Sequence, residues 1–374
     1  MKKLVDKLIG IPTCFILSLL SPMISNKQKG SINNILIIRL YGMGDAIIST
    51  GLVNAMKENF PNSRITVLTT NETKKVYGFS NVNKILAWDT RLLGIIPSFV
   101  LVILELRNEK FDVVLDLEQF ARISSIFALL SGAPIRIGYT GFGKDLLYTG
   151  KVRYNGDVHT LECFFDLLRF LKKDAKAKLP EIIPKQIFKD KVTKIFLENG
   201  MTDKTLVVGL HPGTGDTATM RRWFPERFAE LADEISKKYN AKIILTGVPS
   251  EKELLEKISS SMKTKPLLLY TLKFEEFICL LSELDLFICN DTGPLHLASA
   301  IGTPSIGIFG STSPIRWAPL GKKCIVVYSG FPCSPCIHTH LEIIPSKCPL
   351  YATTKCMEAI EVKDVMEKVD ELME

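Results

Sequence analysis

Two stretches of this sequence set chemically able side chains at the ends of apolar runs. In the first, Ile35-Leu36-Ile37-Ile38-Arg39 leads into Gly42-Met43-Gly44-Asp45. An Asp at the mouth of a helix reads either as an N-cap, which Asp favours, or as a carboxylate that takes the proton of an attacking hydroxyl. Gly42 and Gly44 would let a ligand approach the backbone closely. In the second, the apolar run Leu284–Cys289 is followed by Asn290-Asp291-Thr292-Gly293-Pro294-Leu295-His296 and, after a short helix, by the strand Ser305–Phe309. Asp291 and Thr292 fall at the capping position, and Pro294 suits the first helical turn, where its missing N–H costs nothing. The free N–H groups of Gly293 and its neighbours would then face out of the carboxyl end of a sheet, where anions bind. The chemistry that fits is a diphosphate seat, to which His296 adds a donor. A similar loop follows Leu206–Leu210: His211-Pro212-Gly213-Thr214, whose N–H groups could also face phosphate.

The elements that must position these groups alternate regularly. Ile35–Leu40, Arg64–Thr69 and Val113–Asp116 read as buried parallel strands, separated by helices at Ala46–Asn59 and Ile95–Leu106. His159–Leu171 is an amphipathic helix, with Leu161, Phe164, Phe165 and Leu168 on one stripe. A polar, charged run then ends in Leu179-Pro180, and beyond it the alternation restarts with Leu206–Leu210, Lys242–Thr246 and Leu284–Cys289. The expected architecture is α/β: two Rossmann-like, doubly wound domains facing across a cleft. The divisions are an N-terminal extension at 1–30, an acceptor-binding domain at 31–175, a linker at 176–190 and a nucleotide-sugar-binding domain at 191–374. The last helix, Val362–Met373, is expected to cross back onto the first domain.

Composition narrows the class. At 374 residues, with 46% hydrophobic and 23% charged residues, the chain is a folded globular protein longer than one ordinary core. A net charge of +7 is compatible with nucleic acid, an anionic membrane or phosphorylated substrates; the interleaved aromatic and basic residues of a nucleic-acid surface are absent from the sequence. Lys2, Lys3 and Lys7 precede an uncharged stretch from Leu8 to Asn26, interrupted by Pro12 and Pro22 and followed by Lys27 and Lys29. This barely reaches the roughly 20 apolar residues of a spanning helix. It reads as contact with the inner face of a membrane through residues 1–30, as a fold-packed or disordered extension, or as an export signal. Cys333, Cys336, Cys348 and Cys356 crowd a Cys-rich loop at 333–356. They have the ligand count of a structural zinc or iron–sulfur site, with disulfide pairing and simple packing as the alternatives. No Asp-x-Asp triplet occurs anywhere, so no divalent cofactor is expected for catalysis and any diphosphate charge must be met by helix termini and basic side chains.

The two opening motifs, with Gly302-Thr303-Pro304 and Phe309-Gly310, and the segment Arg221-Arg222-Trp223-x-Pro225-Glu226-Arg227-Phe228, resemble the ADP-heptose:lipopolysaccharide heptosyltransferases of glycosyltransferase family 9, in that family's order over residues 35 to about 360. The resemblance implies the two-Rossmann (GT-B) fold and an inverting transfer of a heptose or related sugar from an ADP-sugar to a lipid-linked saccharide such as lipopolysaccharide core. It implies Asp45 as general base, and Thr214, Arg221, Glu251, Asp291, Thr292, Gly293 and His296 on the donor. Gly44, Arg122 and Arg136 would serve the acceptor, the arginines by bidentate bonding to phosphorylated sugars. It also implies a cytoplasmic enzyme, peripheral to the inner face of the cytoplasmic membrane. Three positions depart from the family pattern: Arg221 where Lys is usual, Glu118 where Gln is common and Gly51 where Pro is common. A nucleotide-sugar epimerase on the same scaffold and a non-catalytic nucleotide-binding protein are the alternatives.

Overall fold

The computed structural model describes residues 2–24, 30–215, 219–341 and 343–374. The chain divides into two compact units, Met1–Pro180 and Glu181–Glu374. The first is built on six parallel strands: β1 (Asn34–Ile38), β2 (Arg64–Thr70), β3 (Lys84–Trp88), β4 (Val113–Asp116), β5 (Ile135–Tyr139) and β6 (Gly150–Val152), in the order β3-β2-β1-β4-β5-β6. Its helices are α1 (Lys2–Ile24), α2 (Met43–Asn59), α3 (Lys74–Tyr77), α4 (Ile95–Glu109), α5 (Arg122–Leu130) and α6 (Thr160–Leu171). Ile35, Leu36, Ile37 and Ile38 are all fully buried, because a central parallel strand is covered on both faces and so reads as a continuous apolar run.

The second unit repeats the plan. Its strands are β7 (Val207–His211), β8 (Lys242–Thr246), β9 (Leu267–Leu269), β10 (Leu286–Asn290), β11 (Ser305–Phe309) and β12 (Cys324–Tyr328), in the order β12-β11-β10-β7-β8-β9. The helices are α7 (Lys189–Glu198), α8 (Pro225–Tyr239), α9 (Lys252–Ser261), α10 (Phe274–Ser282), α11 (Gly293–Ile301), α12 (Pro314–Trp317), α13 (Lys355–Glu358) and α14 (Val362–Met373). Each sheet reverses its winding once, between β1 and β4 in the first unit and between β7 and β10 in the second. At such a switch point the flanking loops diverge and leave a crevice at the strands' carboxyl ends.

Both ends of the chain pack on their own units. In helix α14, Val362, Val365, Met366 and Val369 form a buried i, i+3, i+4, i+7 stripe within the same core as Trp223 and Phe228 of the second unit, and Lys238 of α8 pairs with Asp370 at 2.7 Å. The N-terminal stretch takes the fold-packed alternative. It forms one helix that runs through Pro12 and Pro22 despite the hydrogen bond each proline removes, because its inner face packs on α5. Cys14 is fully buried, with Sγ 3.6 Å from the Ser125 hydroxyl, and Leu17 and Ile24 join a cluster with Ile126 and Leu129. Among the described residues no helix is long and apolar enough to cross a membrane. Lys27 and Lys29 lie outside the described residues.

The departure at Gly51 has a packing reason. A Cβ there would come 2.3 Å from the Lys178 carbonyl oxygen and 3.1 Å from the Pro180 nitrogen. Helix α2 therefore takes the returning chain at 178–180 hard against its backbone, which a side chain would prevent.

Candidate active site

At the first switch point the β1–α2 loop is stapled from below. Gly42, at φ 84 and ψ 109, is the residue that caps α2, a left-handed conformation that glycine takes without a steric penalty. Asp45 is thus not the N-cap that its type suggests; it stands one turn inside the helix. Its Oδ2 meets Arg39 Nη2 at 2.7 Å, and a Cβ on Gly42 would lie 2.5 Å from that same oxygen. Arg39 is held in turn by the Leu117 carbonyl at 3.1 Å and by Glu118, whose Oε1 is 3.6 Å from Nε. The same Glu118 oxygen accepts the backbone N–H groups of Leu40 and Tyr41 at 2.8 and 3.1 Å. Burial draws the Arg39 guanidinium down, but Asp45 and Glu118 outweigh it and leave its pKa raised, so it stays a cation; burial pushes the Glu118 carboxyl up. The outcome is a carboxylate with 17% of its side chain exposed, fixed by an arginine with 7% exposed. Glu118, flagged only as a departure from pattern, is the residue that ties the end of β4 to the loop bearing Gly44 and Asp45.

The two arginines expected to meet an acceptor are spent inside the first unit. Arg122 is 3% exposed. Its Nη1 binds Asp6 of α1 at 2.9 Å, its Nε donates to the Phe142 carbonyl at 2.9 Å, and its backbone N–H also donates to Asp6 at 3.1 Å. The Asp6 carboxylate thus caps the start of α5 and neutralises the arginine there. Arg136, also 3% exposed, donates to the carbonyls of Leu147 and Ala133 at 2.9 and 2.5 Å and to the Ser21 hydroxyl at 3.1 Å. Burial lowers its pKa. Neither guanidinium reaches out for a phosphate in this arrangement, which corrects the expectation for both. The signal that could have found this was Asp6, the one acidic residue in the otherwise basic and apolar sequence of α1.

The second switch point is arranged differently. Asn290, fully buried at the end of β10, donates to the Pro212 carbonyl at 2.9 Å and accepts the Trp223 N–H at 2.9 Å. It binds the loop after β7 and the segment before α8 to one point, a role that its place in the motif did not reveal. Thr292 is the N-cap of α11, yet its hydroxyl donates back to the Asn290 carbonyl at 3.2 Å and makes no capping bond to the helix. The start of α11 has no side-chain cap; Pro294 carries no N–H and the Leu295 N–H donates to the Thr292 carbonyl at 3.1 Å, so the Gly293 N–H is the group that suits an external anion. His296 lies buried in the same first turns.

Arg221 stands beside this helix start, one-quarter exposed, with Nη1 3.4 Å from the Asp291 carbonyl oxygen and 3.7 Å from its carboxylate. The Nε atoms of Arg221 and Arg222 are buried and make no hydrogen bond among the described residues. Burial raises the Asp291 pKa, with Arg221 pulling it back. The Asp291 carboxylate thus faces the Arg221 guanidinium.

Glu251 is 4% exposed and grips the loop after β7: its oxygens accept the N–H groups of Gly215 and Val248, each at 3.1 Å. A Cβ on Gly213 would lie 2.1 Å from Glu251 Oε1. Thr214, partly exposed on the same loop, donates weakly to the Gly215 carbonyl at 3.4 Å. His211 is buried with Nδ1 3.0 Å from the Thr246 hydroxyl, and burial lowers its pKa to about 4 although Glu251 opposes this. It is a neutral imidazole at neutral pH.

All nine cysteines are free thiols. Burial, then Cys333 and Cys348, raise the Cys336 pKa; burial, then Cys336 and Cys333, push Cys356 up to about 11. The four are near neighbours, but among the described residues no group of three or more His, Cys, Asp or Glu is placed to hold a metal ion. Zinc or an iron–sulfur cluster at Cys333, Cys336, Cys348 and Cys356 therefore draws no support from the geometry.

The profile of glycosyltransferase family 9 (heptosyltransferase) matches residues 101–343. The chain belongs to that family. It is 25% identical over 304 residues to the lipopolysaccharide core heptosyltransferase OpsX of Haemophilus influenzae, covering 78% of this chain and 83% of that protein. Among solved structures, the family 9 glycosyl transferase of Veillonella parvula superposes with a TM-score of 0.78 at 22% identity, over 91% of this chain and 97% of that one. The Escherichia coli ADP-heptose lps heptosyltransferase II gives 0.71 at 18% identity, over 91% and 98%. The protein is a glycosyltransferase, with the two Rossmann-like units of the GT-B fold class.

Proposed function

We propose that this family 9 transferase moves a heptose, or a closely related sugar, from an ADP-sugar to a lipid-linked saccharide such as lipopolysaccharide core, with inversion at the anomeric carbon. The observation that carries the reading is the uncapped start of α11 beside Arg221, a seat for a leaving diphosphate that needs no metal clamp. The likeness to a lipopolysaccharide core heptosyltransferase supports a heptose, and the likeness to the Escherichia coli ADP-heptose enzyme supports an ADP-linked donor. In the proposed step an acceptor hydroxyl attacks the anomeric carbon and gives its proton to Asp45. The bond from that carbon to the diphosphate oxygen breaks, and ADP leaves with the electron pair, its charge met by the Gly293 N–H at the start of α11 and by the Arg221 guanidinium. Arg39 and Glu118 position Asp45; Glu251 and Asn290 position the loops of the donor seat. Since such donors are cytoplasmic, the enzyme works at the inner face of the cytoplasmic membrane.

The test is incubation with a panel of nucleotide sugars, scoring nucleotide release with and without a lipid-linked acceptor. Release that depends on both ADP-heptose and acceptor is expected. Release of a free sugar without acceptor would replace transfer with the epimerase reading.

A further inference from the structure

Helix α1 is apolar on two faces. The inner one, with Gly10, Cys14, Leu17 and Ser21, packs on the first unit. The outer one carries Ile11, Phe15, Ile16, Leu19, Leu20 and Met23 at i, i+4 spacings, exposed to between 38% and 84%. A helix packed into a soluble body ordinarily turns polar residues outward. This one has no charged side chain from Leu8 to its end at Ile24. Helix α4 does the same beside it. Leu93, Ile96, Leu101 and Leu104 are 92%, 73%, 61% and 56% exposed, and no charge occurs from Leu92 to Leu104.

The two outer faces belong to one surface. Both helices pack on α5, Phe99 of α4 lies against the α1 cluster with Leu17 and Ile24, and Arg107 of α4 donates to the Ile24 carbonyl at 2.9 Å. So large a continuous apolar surface on a folded chain marks a protein or membrane contact.

The charges around it select between these. The sequence sets Lys2, Lys3 and Lys7 on the opening turns of α1. The nearby carboxylates are engaged: Asp6 pairs with Arg122, and Glu105 and Glu109 share Lys84, each contact at 2.9 Å. The outer stripe of α1 offers no charged or amide group to orient a protein partner, and its Ser18 hydroxyl is turned back onto the Phe15 carbonyl at 2.6 Å. An exposed apolar stripe preceded in the sequence by three lysines fits an anionic bilayer, with the stripe in the acyl boundary.

We infer that the joint outer face of α1 and α4 docks the enzyme on an anionic membrane. The inference deepens the proposed function and rests on its lipid-linked acceptor for a purpose; the test separates the two. Full-length protein is sedimented with vesicles of phosphatidylglycerol and phosphatidylethanolamine, and with vesicles of phosphatidylcholine alone. The variants are Leu19→Asp, Leu101→Asp and their combination, both sites being well exposed, with ADP titration and thermal unfolding as controls on the fold. Wild type should prefer the anionic vesicles by roughly ten-fold or more, and the double variant should lose most of that binding, each single variant part of it. ADP affinity and turnover on a delipidated acceptor should not change. Docking without any sugar transfer would sink the functional reading and leave the surface standing. Wild type that binds neither vesicle, variants that bind as well as wild type, or a wild-type dimer dispersed by the same substitutions would each overturn the membrane assignment.

Discussion

Three arginines near the two switch points look alike in the sequence and differ in the fold. Arg122 and Arg136 are 3% exposed, and their donors are directed to Asp6, Ser21 and backbone carbonyls of their own unit. Arg221 keeps a quarter of its side chain exposed, meets its nearest carboxylate only at 3.7 Å, and leaves Nε without a hydrogen bond among the described residues. A guanidinium whose donors are occupied is part of the scaffold. One held loosely beside uncapped helix N–H groups is poised for an anion, since a buried donor left unbonded costs free energy until a ligand arrives. The charge state of the two switch points differs as well: an Arg39–Asp45 ion pair in the first unit, a neutral His211 beside Glu251 in the second.

The largest effect should come from Asp45→Asn. Turnover is expected to fall by roughly 100- to 10,000-fold, the range of a general base, while ADP affinity stays within a few-fold. Steady-state kinetics beside nucleotide titration checks this, and a variant with near-normal turnover would remove Asp45 from the chemistry.

His211 gives a pH signature to the second unit. Its folded pKa of about 4 lies below the usual histidine value of 6.5, so between those limits the unfolded chain binds a proton that the folded chain excludes. Stability is therefore fully present above pH 6.5 and is lost as pH falls towards 4, by about 2 kcal/mol at pH 5. Thermal unfolding of wild type and His211→Gln at pH 7 and pH 5 should show a smaller acid loss in the variant. Equal losses would place the proton elsewhere.

Breaking the first unit's internal pair should cost stability and not substrate affinity. Asp6→Ala strands a buried arginine; with Asp6 itself 26% exposed, the expected loss is about 2 kcal/mol, below the range for a fully buried pair. Thermal unfolding at neutral pH measures it. A variant that kept its stability but bound the phosphorylated acceptor tighter would show that Asp6 instead occupies an acceptor site.

Much of the fold was legible because central parallel strands write themselves as unbroken apolar runs; Ile35–Ile38 and Leu286–Cys289 fall where their sequences say. The three-residue strands β6 and β9 were not legible, being too short to carry a pattern. Helix α1 left its alternatives open for a physical reason: an uncharged stretch with two prolines has the composition of a membrane segment, and nothing local shows that Cys14 and Asp6 face α5. The helix start at Asp291-Thr292-Gly293-Pro294 was legible, since capping chemistry is local. What was hidden was long-range: Glu118 reaching the N–H groups of Leu40 and Tyr41, and Asn290 joining Pro212 to Trp223, are contacts across 67 residues or more.

The most direct measurement of the contrast between a committed and a poised arginine is calorimetric titration of ADP into wild type, Arg221→Gln and Arg122→Gln in parallel. A charge-assisted bond to the diphosphate is worth roughly 1.5–3 kcal/mol, so Arg221→Gln should weaken ADP by about ten-fold or more, with Arg122→Gln equal to wild type in affinity though lower in unfolding temperature. Unchanged ADP affinity in Arg221→Gln, or a loss in Arg122→Gln matching or exceeding it, would contradict the account.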